Sequence, residues 1–223
     1  MTAASAIAII DYGAGNVPSV ERALQKLGVD SRRVAQPAEL AGATAIILPG
    51  VGHYAAIIRA LDENNLRSAL LNAIASGVPF LGICLGLQAL YSNSEEAPAL
   101  SGLNLFHGSV VSLPATVKLP HMGWNRLQIG GASRLLSGLT ESDYFYFAHT
   151  FAAPVSAYAS AKPQNISQGI NSGGSNEVVA TCNHGADFTA VVEHKNIFGT
   201  QFHPEKSGAA GSRLLQNFLS LAA

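Results

Sequence analysis

Three apolar runs in the first half of the chain constrain its fold more than any other feature. They cover residues 6–10, 43–48 and 78–83, and a glycine-containing turn follows each of them. Runs without regular polar alternation are typical of strands that are covered on both faces. Apolar residues at helical spacing come next, and they predict helices at 17–27, 54–76 and 85–91. Such alternation predicts an α/β fold with a mostly parallel central sheet flanked by helices.

The second half of the chain has a different pattern, because predicted strands follow one another with few helices between them. These strands cover residues 103–117, 144–151, 177–181, 190–194 and 197–202. We interpret them as antiparallel additions to the sheet. A last helix is predicted at 211–221, where apolar residues share one face. Residues 160–176 are rich in Ser, Gly, Asn and Gln, which indicates a surface insertion in an otherwise single domain over residues 1–223.

The composition argues against several classes of function. Apolar residues make up 48% of the chain, which is enough for a sizeable core, whereas only 12% are charged and the net charge is −1. There is no basic stripe, so we expect no nucleic-acid partner. The first apolar run is too short to span a bilayer, so we expect no membrane association.

The cysteines point to a reducing environment. Cys84 and Cys182 are the only two, and they lie far apart in the sequence. Secreted disulfide scaffolds carry more cysteines at closer spacing. Structural zinc sites commonly use Cys-x-x-Cys pairs, which this chain lacks. We therefore expect a cytoplasmic location and no metal.

The pentapeptide Gly82-Ile83-Cys84-Leu85-Gly86 is the sharpest local signal of chemistry. It has the Gly-x-nucleophile-x-Gly form of a nucleophile elbow and lies where a strand is predicted to turn into a helix. The first turn of that helix directs its positive dipole end at Cys84, which favours the thiolate. Taken alone, the motif fits a buried structural cysteine equally well.

His203 and Glu205 favour the catalytic interpretation of Cys84. They are two positions apart at the end of an apolar run, so in an extended chain both side chains leave the same face. A catalytic base needs a third group that fixes its tautomer and orientation, and Glu205 is placed to do this for His203. An isolated His-x-Glu would be an ordinary surface pair. Together with Cys84 it predicts a catalytic triad.

Two glycine-containing loops receive opposite interpretations. Residues 49–52, Pro-Gly-Val-Gly, follow a predicted strand and offer unobstructed N–H groups to an oxyanion, although taken alone they are better explained as an ordinary tight turn. Residues 13–15, Gly-Ala-Gly, resemble the start of a dinucleotide fingerprint, but Pro18 stands where the third glycine is required. A nucleotide site is therefore rejected, and no cofactor is predicted.

The chain resembles the class-I, triad-type glutamine amidotransferases. The motifs that carry this resemblance are residues 49–52, 82–88 and 201–207. Within that class the chain is similar to the glutaminase subunits of imidazole glycerol phosphate synthases, enzymes of histidine biosynthesis, and residues 11–16, 120–125 and 146–151 carry this likeness. The resemblance runs from Ile7 to Leu219 and lapses over the predicted insertion. It also departs at Thr150 and Phe151, where the family usually has Ser and Tyr.

The resemblance implies a reaction and assigns residues to it. Cys84 attacks the side-chain amide of glutamine, His203 protonates the departing ammonia, and Glu205 steadies the imidazolium. Water then hydrolyses the thioester to glutamate. The resemblance also implies a set of oxyanion and substrate contacts: Gly50, Gly52, Leu85, Gln88, Glu96, His149 and Thr150.

The resemblance further implies a partner, a (β/α)₈ cyclase subunit that forms a heterodimer with this chain. The cyclase receives the ammonia and makes imidazole glycerol phosphate and an aminoimidazole carboxamide nucleotide. Asn16, Trp124 and Lys206 match positions expected near that interface. Other interpretations stay open: a glutaminase of anthranilate, guanylate or pyridoxal phosphate synthesis, a non-catalytic subunit that keeps the fold, or a stand-alone cysteine hydrolase of γ-glutamyl compounds.

Overall fold

The structure, a computed structural model, describes residues 7–155 and 178–222. Its helices are α1 (Val17–Lys26), α2 (Tyr54–Glu63), α3 (Leu66–Ala75), α4 (Leu85–Gln88) and α5 (Gly208–Ser220), with short 3-10 helices at Pro37–Leu40 and Pro204–Lys206. Its strands are β1 (Ile7–Ile10), β2 (Ser31–Val34), β3 (Ala45–Gly50), β4 (Phe80–Cys84), β5 (Tyr91–Ser94), β6 (Phe106–Ser112), β7 (His121–Arg126), β8 (Gln128–Ile129), β9 (Tyr144–His149), β10 (Phe151–Ala152), β11 (Val178–Asn183), β12 (Asp187–His194) and β13 (Ile197–Thr200).

In the described residues, the main sheet has eight strands in the order β2-β1-β3-β4-β13-β12-β11-β8. The five strands from β2 to β13 run parallel to one another, and β12, β11 and β8 continue the sheet in antiparallel fashion. The predicted mostly parallel sheet with antiparallel additions is therefore confirmed. One C-terminal strand differs from that expectation, because β13 inserts parallel to β4 at the centre of the sheet. Smaller sheets pair β10-β6-β5 and β7-β9.

Apolar side chains cover both faces of the main sheet. In β3, Ala45 and Ile47 join one apolar cluster, whereas Ile46 and Leu48 join the other. The first cluster includes the buried faces of α1 and α5, and the second includes those of α2 and α3. Because helices cover the central strands on both sides, these strands need apolar residues at every position, which explains the unbroken runs of the sequence.

The prediction of one helix over residues 54–76 is wrong, because this region forms two helices, α2 and α3. The break is at Asn64 and Asn65, and Asn65 takes the left-handed conformation with φ 57°. Asparagine tolerates that conformation better than most residues. Each helix buries its own apolar stripe, so the spacing of apolar residues alone did not reveal the break.

Several other boundaries also differ from those predicted. The helix predicted at 85–91 is the single turn α4, because the chain leaves it to form β5. The strand predicted at 144–151 is interrupted at Thr150, and β10 beyond it pairs with β6 of another sheet. The sequence pattern does not predict β2, β5, β7 or β8, which are short or rich in polar residues.

The predicted insertion at 160–176 lies outside the described residues. Within residues 7–155 and 178–222, no helix is long and apolar enough to cross a membrane. In the same part of the chain, no group of three or more His, Cys, Asp or Glu side chains is arranged to hold a metal ion.

Candidate active site

The carboxyl ends of three neighbouring parallel strands bring the predicted triad together. Gly50 of β3 lies opposite Cys84 of β4, and Thr200 of β13 lies opposite Ile83. The segment 201–205 therefore begins beside Cys84. Ligands of open α/β sheets bind at this edge, because the loops that leave the strands converge there.

Cys84 lies at a strained turn between β4 and α4. Its φ of 54° and ψ of −106° are rare for a residue with a side chain. A methyl group at Gly82 would lie 2.6 Å from the Gly86 carbonyl oxygen, and one at Gly86 would overlap the Leu48 carbonyl oxygen. The two glycines of the motif are therefore required by close backbone approach. Because α4 has only four residues, the helix dipole that acts on Cys84 is that of a single turn.

His203 and Glu205 form a buried pair next to Cys84. His203 Nδ1 lies 2.8 Å from Glu205 Oε1, and the two side chains are 2% and 0% exposed. His203 also forms a hydrogen bond with Cys84. Burial alone would lower the pKa of His203, but the charges and hydrogen bonds of Cys84 and Glu205 outweigh it and raise the pKa to about 10. The geometry therefore favours a protonated His203 beside Cys84.

Two amide side chains complete this array, and the sequence pattern assigns neither of them to the triad. Asn16 Nδ2 donates to Glu205 Oε1 at 2.9 Å, across 189 positions of sequence. Gln201 Nε2 lies 3.7 Å from Cys84 Sγ. The sequence predicts Asn16 near the interface, and in the structure it contacts the Glu205 carboxylate. No local pattern links such distant positions, so only the fold reveals these contacts.

A cleft of about 320 Å³ opens at Cys84. This volume is at the small end of the range for small-molecule sites. Gly50 does not line the cleft, because it packs beneath Leu85, where an added methyl group would lie 2.6 Å from the Leu85 Cβ. The other predicted contacts line the cleft together with two triad residues: Gly52, Cys84, Leu85, Gln88, Glu96, His149, Thr150 and His203.

The fold fixes two of these side chains in the cleft wall. Gln88 Nε2 donates to the Phe151 carbonyl oxygen at 2.7 Å. Glu96 Oε2 accepts a hydrogen bond from the Tyr54 N–H at 2.7 Å, in the first turn of α2. A carboxylate at that position is stabilised by the helix dipole. Both side chains are therefore held in place before any substrate enters.

Comparison with known proteins identifies the family. The sequence model for "Glutamine amidotransferase class-I" matches residues 8–222. The chain is 45% identical over 215 residues to imidazole glycerol phosphate synthase subunit HisH of Methanothermobacter thermautotrophicus, covering 96% of this chain and 98% of that protein. It is 44% identical over 212 residues to the HisH subunit of Desulfitobacterium hafniense, covering 95% and 92%. The chain belongs to the HisH family of class-I glutamine amidotransferases.

Solved structures share the fold of this HisH-family chain at low sequence identity. A crystal structure described as a glutamine amidotransferase matches with a TM-score of 0.70 at 20% identity, covering 97% of this chain and 98% of that one. PurLQS from Thermotoga maritima matches with a TM-score of 0.70 at 20% identity, covering 96% and 97%. At such identities the likeness concerns the fold alone, and it agrees with the predicted architecture.

A histidine cluster that the sequence pattern does not reveal adjoins the cleft. His121 of β7 pairs with His149 of β9, and His121 Nδ1 lies 3.2 Å from His149 Nε2. His184 stacks on His121, with ring centroids 4.2 Å apart. Burial and the nearby histidines lower the pKa of His149 to about 3, and burial and His184 lower the pKa of His121 to about 4. Both imidazoles are therefore neutral at pH 7.

These two lowered pKa values predict that acid destabilises the HisH-family chain. The pKa of an unfolded histidine is about 6.5. Between pH 6.5 and about 4 the unfolded chain therefore binds more protons than the folded chain. The stabilisation from neutral His121 and His149 is complete above pH 6.5 and is lost as the pH falls towards 4. Each histidine contributes a slope of up to about 1.4 kcal/mol per pH unit in that window.

Urea unfolding from pH 7.5 to 4.5 measures this effect. We expect His121→Phe, which keeps an aromatic ring beside Phe147, to reduce the slope of the unfolding free energy against pH. The control His107→Phe changes a half-buried histidine outside the cluster and should keep the wild-type slope. The difference between slopes reports His121 together with its effect on the pKa of His149. Equal slopes for wild type and His121→Phe would contradict the prediction.

An exposed aromatic patch lies beside the cleft. Trp124 is 55% exposed, and its ring meets Tyr146 edge-on at 5.9 Å. Lys206 Nζ lies 5.7 Å from the centroid of the same Tyr146 ring, and Lys206 also lines the cleft. Met122, two positions before Trp124 on β7, is 65% exposed. These four residues, Met122, Trp124, Tyr146 and Lys206, are called the Trp124 patch below.

Proposed function

We propose that the chain hydrolyses glutamine to glutamate and ammonia with Cys84, His203 and Glu205, and that it delivers the ammonia to a cyclase subunit. The observation that carries the proposal is the buried array at the cleft, in which Glu205 holds His203 and His203 bonds to Cys84. Nearly full-length similarity to HisH subunits of imidazole glycerol phosphate synthase supports a role in histidine biosynthesis. Two free, buried cysteines fit a cytoplasmic location.

The reaction begins with Cys84 as a thiolate and His203 as an imidazolium. The thiolate adds to the carboxamide carbon of glutamine, and the resulting oxyanion is stabilised by backbone N–H groups of Leu85 and of the loop at Gly52. His203 gives its proton to the nitrogen as the C–N bond breaks, and ammonia leaves. Neutral His203 then takes a proton from water, which attacks the thioester. Glutamate departs, and the thiolate and imidazolium are restored.

Glu205 and Asn16 support His203 without touching the substrate in this scheme. The Glu205 carboxylate accepts from His203 Nδ1, which directs Nε2 towards Cys84 and stabilises the imidazolium. The hydrogen bond from Asn16 fixes the carboxylate itself. An array assembled in this way is difficult to explain in a non-catalytic subunit, because a buried ion pair contributes little net stability on its own.

The Trp124 patch supports a protein partner at the mouth of the cleft. Large apolar side chains with exposures of 55% and 65% are unfavourable in water and are typical anchors of protein interfaces. Lys206 belongs both to this patch and to the cleft wall, so a partner bound at the patch would cover the exit from Cys84. Ammonia that enters a covered passage escapes protonation by bulk water. A (β/α)₈ cyclase is the partner proposed.

A coupled assay tests the proposed partner. We expect the chain and the cyclase subunit to co-purify and to make imidazole glycerol phosphate from glutamine. Trp124→Ala should weaken the complex by roughly 2 kcal/mol, about 30-fold in Kd, as expected for a central aromatic anchor. The control Gln216→Ala alters an exposed residue along α5 and should leave the Kd unchanged.

Two results would overturn this assignment. One is a cyclase that works with ammonium salt but never with glutamine and this chain. The other is efficient glutamine turnover by the isolated chain that the cyclase does not alter, which would favour a stand-alone hydrolase. An interface that tolerates Trp124→Ala would move the docking surface away from the Trp124 patch without removing the glutaminase assignment.

A further inference from the structure

Gln201 is a buried polar residue that the proposed reaction does not use. It follows β13 directly, and the parallel register that sets Thr200 beside Ile83 brings it next to Cys84. Its side chain is fully buried, and its backbone N–H donates to the Ala190 carbonyl oxygen at 2.9 Å. A primary amide at such a position needs partners, because burying unpaired polar groups is costly.

The hydrogen-bond network fixes which end of the Gln201 amide faces Cys84. The Phe151 carbonyl oxygen can only accept, so the atom of Gln88 that lies 2.7 Å from it must be Nε2. The same Nε2 lies 3.2 Å from Gln201 Oε1 and donates its second proton there. The amide oxygen of Gln201 is thereby engaged. Its Nε2 is left to face Cys84 Sγ at 3.7 Å.

We propose that Gln201 is a positioning residue, which donates an N–H to the Cys84 sulfur and holds it as a thiolate aimed into the cleft. The inference rests on the proposed role of Cys84 as nucleophile. An N–H that meets an anionic sulfur forms a stronger hydrogen bond than one that meets a thiol, so the contact favours the charged form. Gln201 does not line the cleft, so it acts through Cys84 rather than on the substrate.

Alkylation of Cys84 by iodoacetamide across pH measures this contact directly. In Gln201→Met, which keeps the length of the side chain and removes the donor, we expect the pH midpoint of the alkylation rate to rise by about one unit. At a pH below both midpoints the rate should fall about tenfold. Peptide mass spectrometry reads Cys84 separately from buried Cys182. His203 and Tyr12, the titratable groups that act on Cys84, are unchanged in the variant.

Two further measurements separate positioning from a general structural role. In the complex with the cyclase, and at the same low pH, Gln201→Met should lower kcat for glutamine about tenfold and leave KM unchanged, because Gln201 does not line the cleft. Gln201→Asn keeps the amide but is one methylene too short to reach the sulfur, and it should behave like Gln201→Met. The control Gln25→Met, on the exposed side of α1, should match the wild type in both assays.

An NMR titration of the wild type needs no variant. The side-chain amide signal of Gln201 should move with the same pH midpoint as the alkylation rate. A signal that does not move while Cys84 ionises would overturn the proposal, as would a wild-type alkylation profile in a folded Gln201→Met or Gln201→Asn chain. Failure of the underlying function looks different: in that case wild-type Cys84 would react no faster than an ordinary thiol.

Discussion

Cys84→Ala should lower the rate of glutamine hydrolysis roughly 10⁶-fold, which is the effect of removing a triad nucleophile in a well-studied protease. Without the sulfur no thioester forms, and neither His203 nor the oxyanion loop can substitute for it. Synthesis by the complex from ammonium salt should survive, because that reaction enters after the glutaminase step. The assay therefore measures glutamate release and cyclase product in parallel, with glutamine or ammonium salt as the nitrogen source.

Cys182→Ala is the matched control for this substitution. Cys182 is the other cysteine, and it is 1% exposed in the apolar cluster that includes α1 and α5. Burial raises the pKa of Cys182 to about 12, so this thiol stays protonated and unreactive. Its loss should lower stability modestly and leave glutamine turnover intact. Near-native turnover in Cys84→Ala, or loss of turnover in Cys182→Ala alone, would show that Cys84 is not the nucleophile.

Features that depend on residues close together in the sequence can be predicted without the fold. The runs that became β1, β3 and β4 are apolar at almost every position, and burial on both faces is the main condition that imposes such a pattern. The elbow at Cys84 is equally local, because Gly82 and Gly86 answer a steric demand within five residues. The structure gives the predicted pairing of His203 with Glu205 as a 2.8 Å contact. The predicted extended chain is wrong there, because Glu205 lies in the 3-10 helix Pro204–Lys206.

Features that depend on contacts between residues far apart in the sequence cannot be predicted in this way. Asn16 reaches Glu205 across 189 positions, and the pairing of β7 with β9 brings His121 to His149. No periodicity or motif encodes such a contact. The sequence pattern does not predict strand β7, because Met122 and Trp124 are large and apolar yet exposed. A half-buried strand normally has its apolar residues on the buried face and polar residues on the exposed face.

The isolated chain should be nearly silent as a glutaminase, and the proposed oxyanion loop at Gly52 is the reason. Gly52 has a φ of 96°, and no atom lies within 4 Å of the position that a Cβ would occupy. Glycine adopts such conformations without steric cost, so no side chain at Gly52 opposes rotation of the adjacent peptide. A loop with this freedom is expected to rest with an N–H turned away from the oxyanion. Loss of one such donor lowers turnover by roughly 10²–10³-fold.

Ligand binding at the cyclase should restore the missing donor. In the competent state of the loop, its N–H points at the oxyanion. A nucleotide that binds the complex more tightly in that state shifts the loop towards it. The resulting rise in turnover cannot exceed the ratio of the nucleotide's affinities for the two states. The Trp124 patch is the proposed contact through which the shift reaches the cleft, since Lys206 belongs to both. Glutamine is then spared when no acceptor is present for its ammonia.

Glutamate release in three states measures this gating: the chain alone, the complex, and the complex with the nucleotide ligand. We expect low turnover alone, modest turnover in the complex, and a rise of roughly 10²–10³-fold with ligand. Trp124→Ala, assayed with enough cyclase to saturate it, should reduce only the rise. Asn16→Ala should lower turnover by the same factor in each of the three states, because its hydrogen bond to Glu205 does not depend on the partner. Equal turnover in the three states would mean that the loop at Gly52 is already competent in the isolated chain, and that the cyclase receives ammonia without controlling its release.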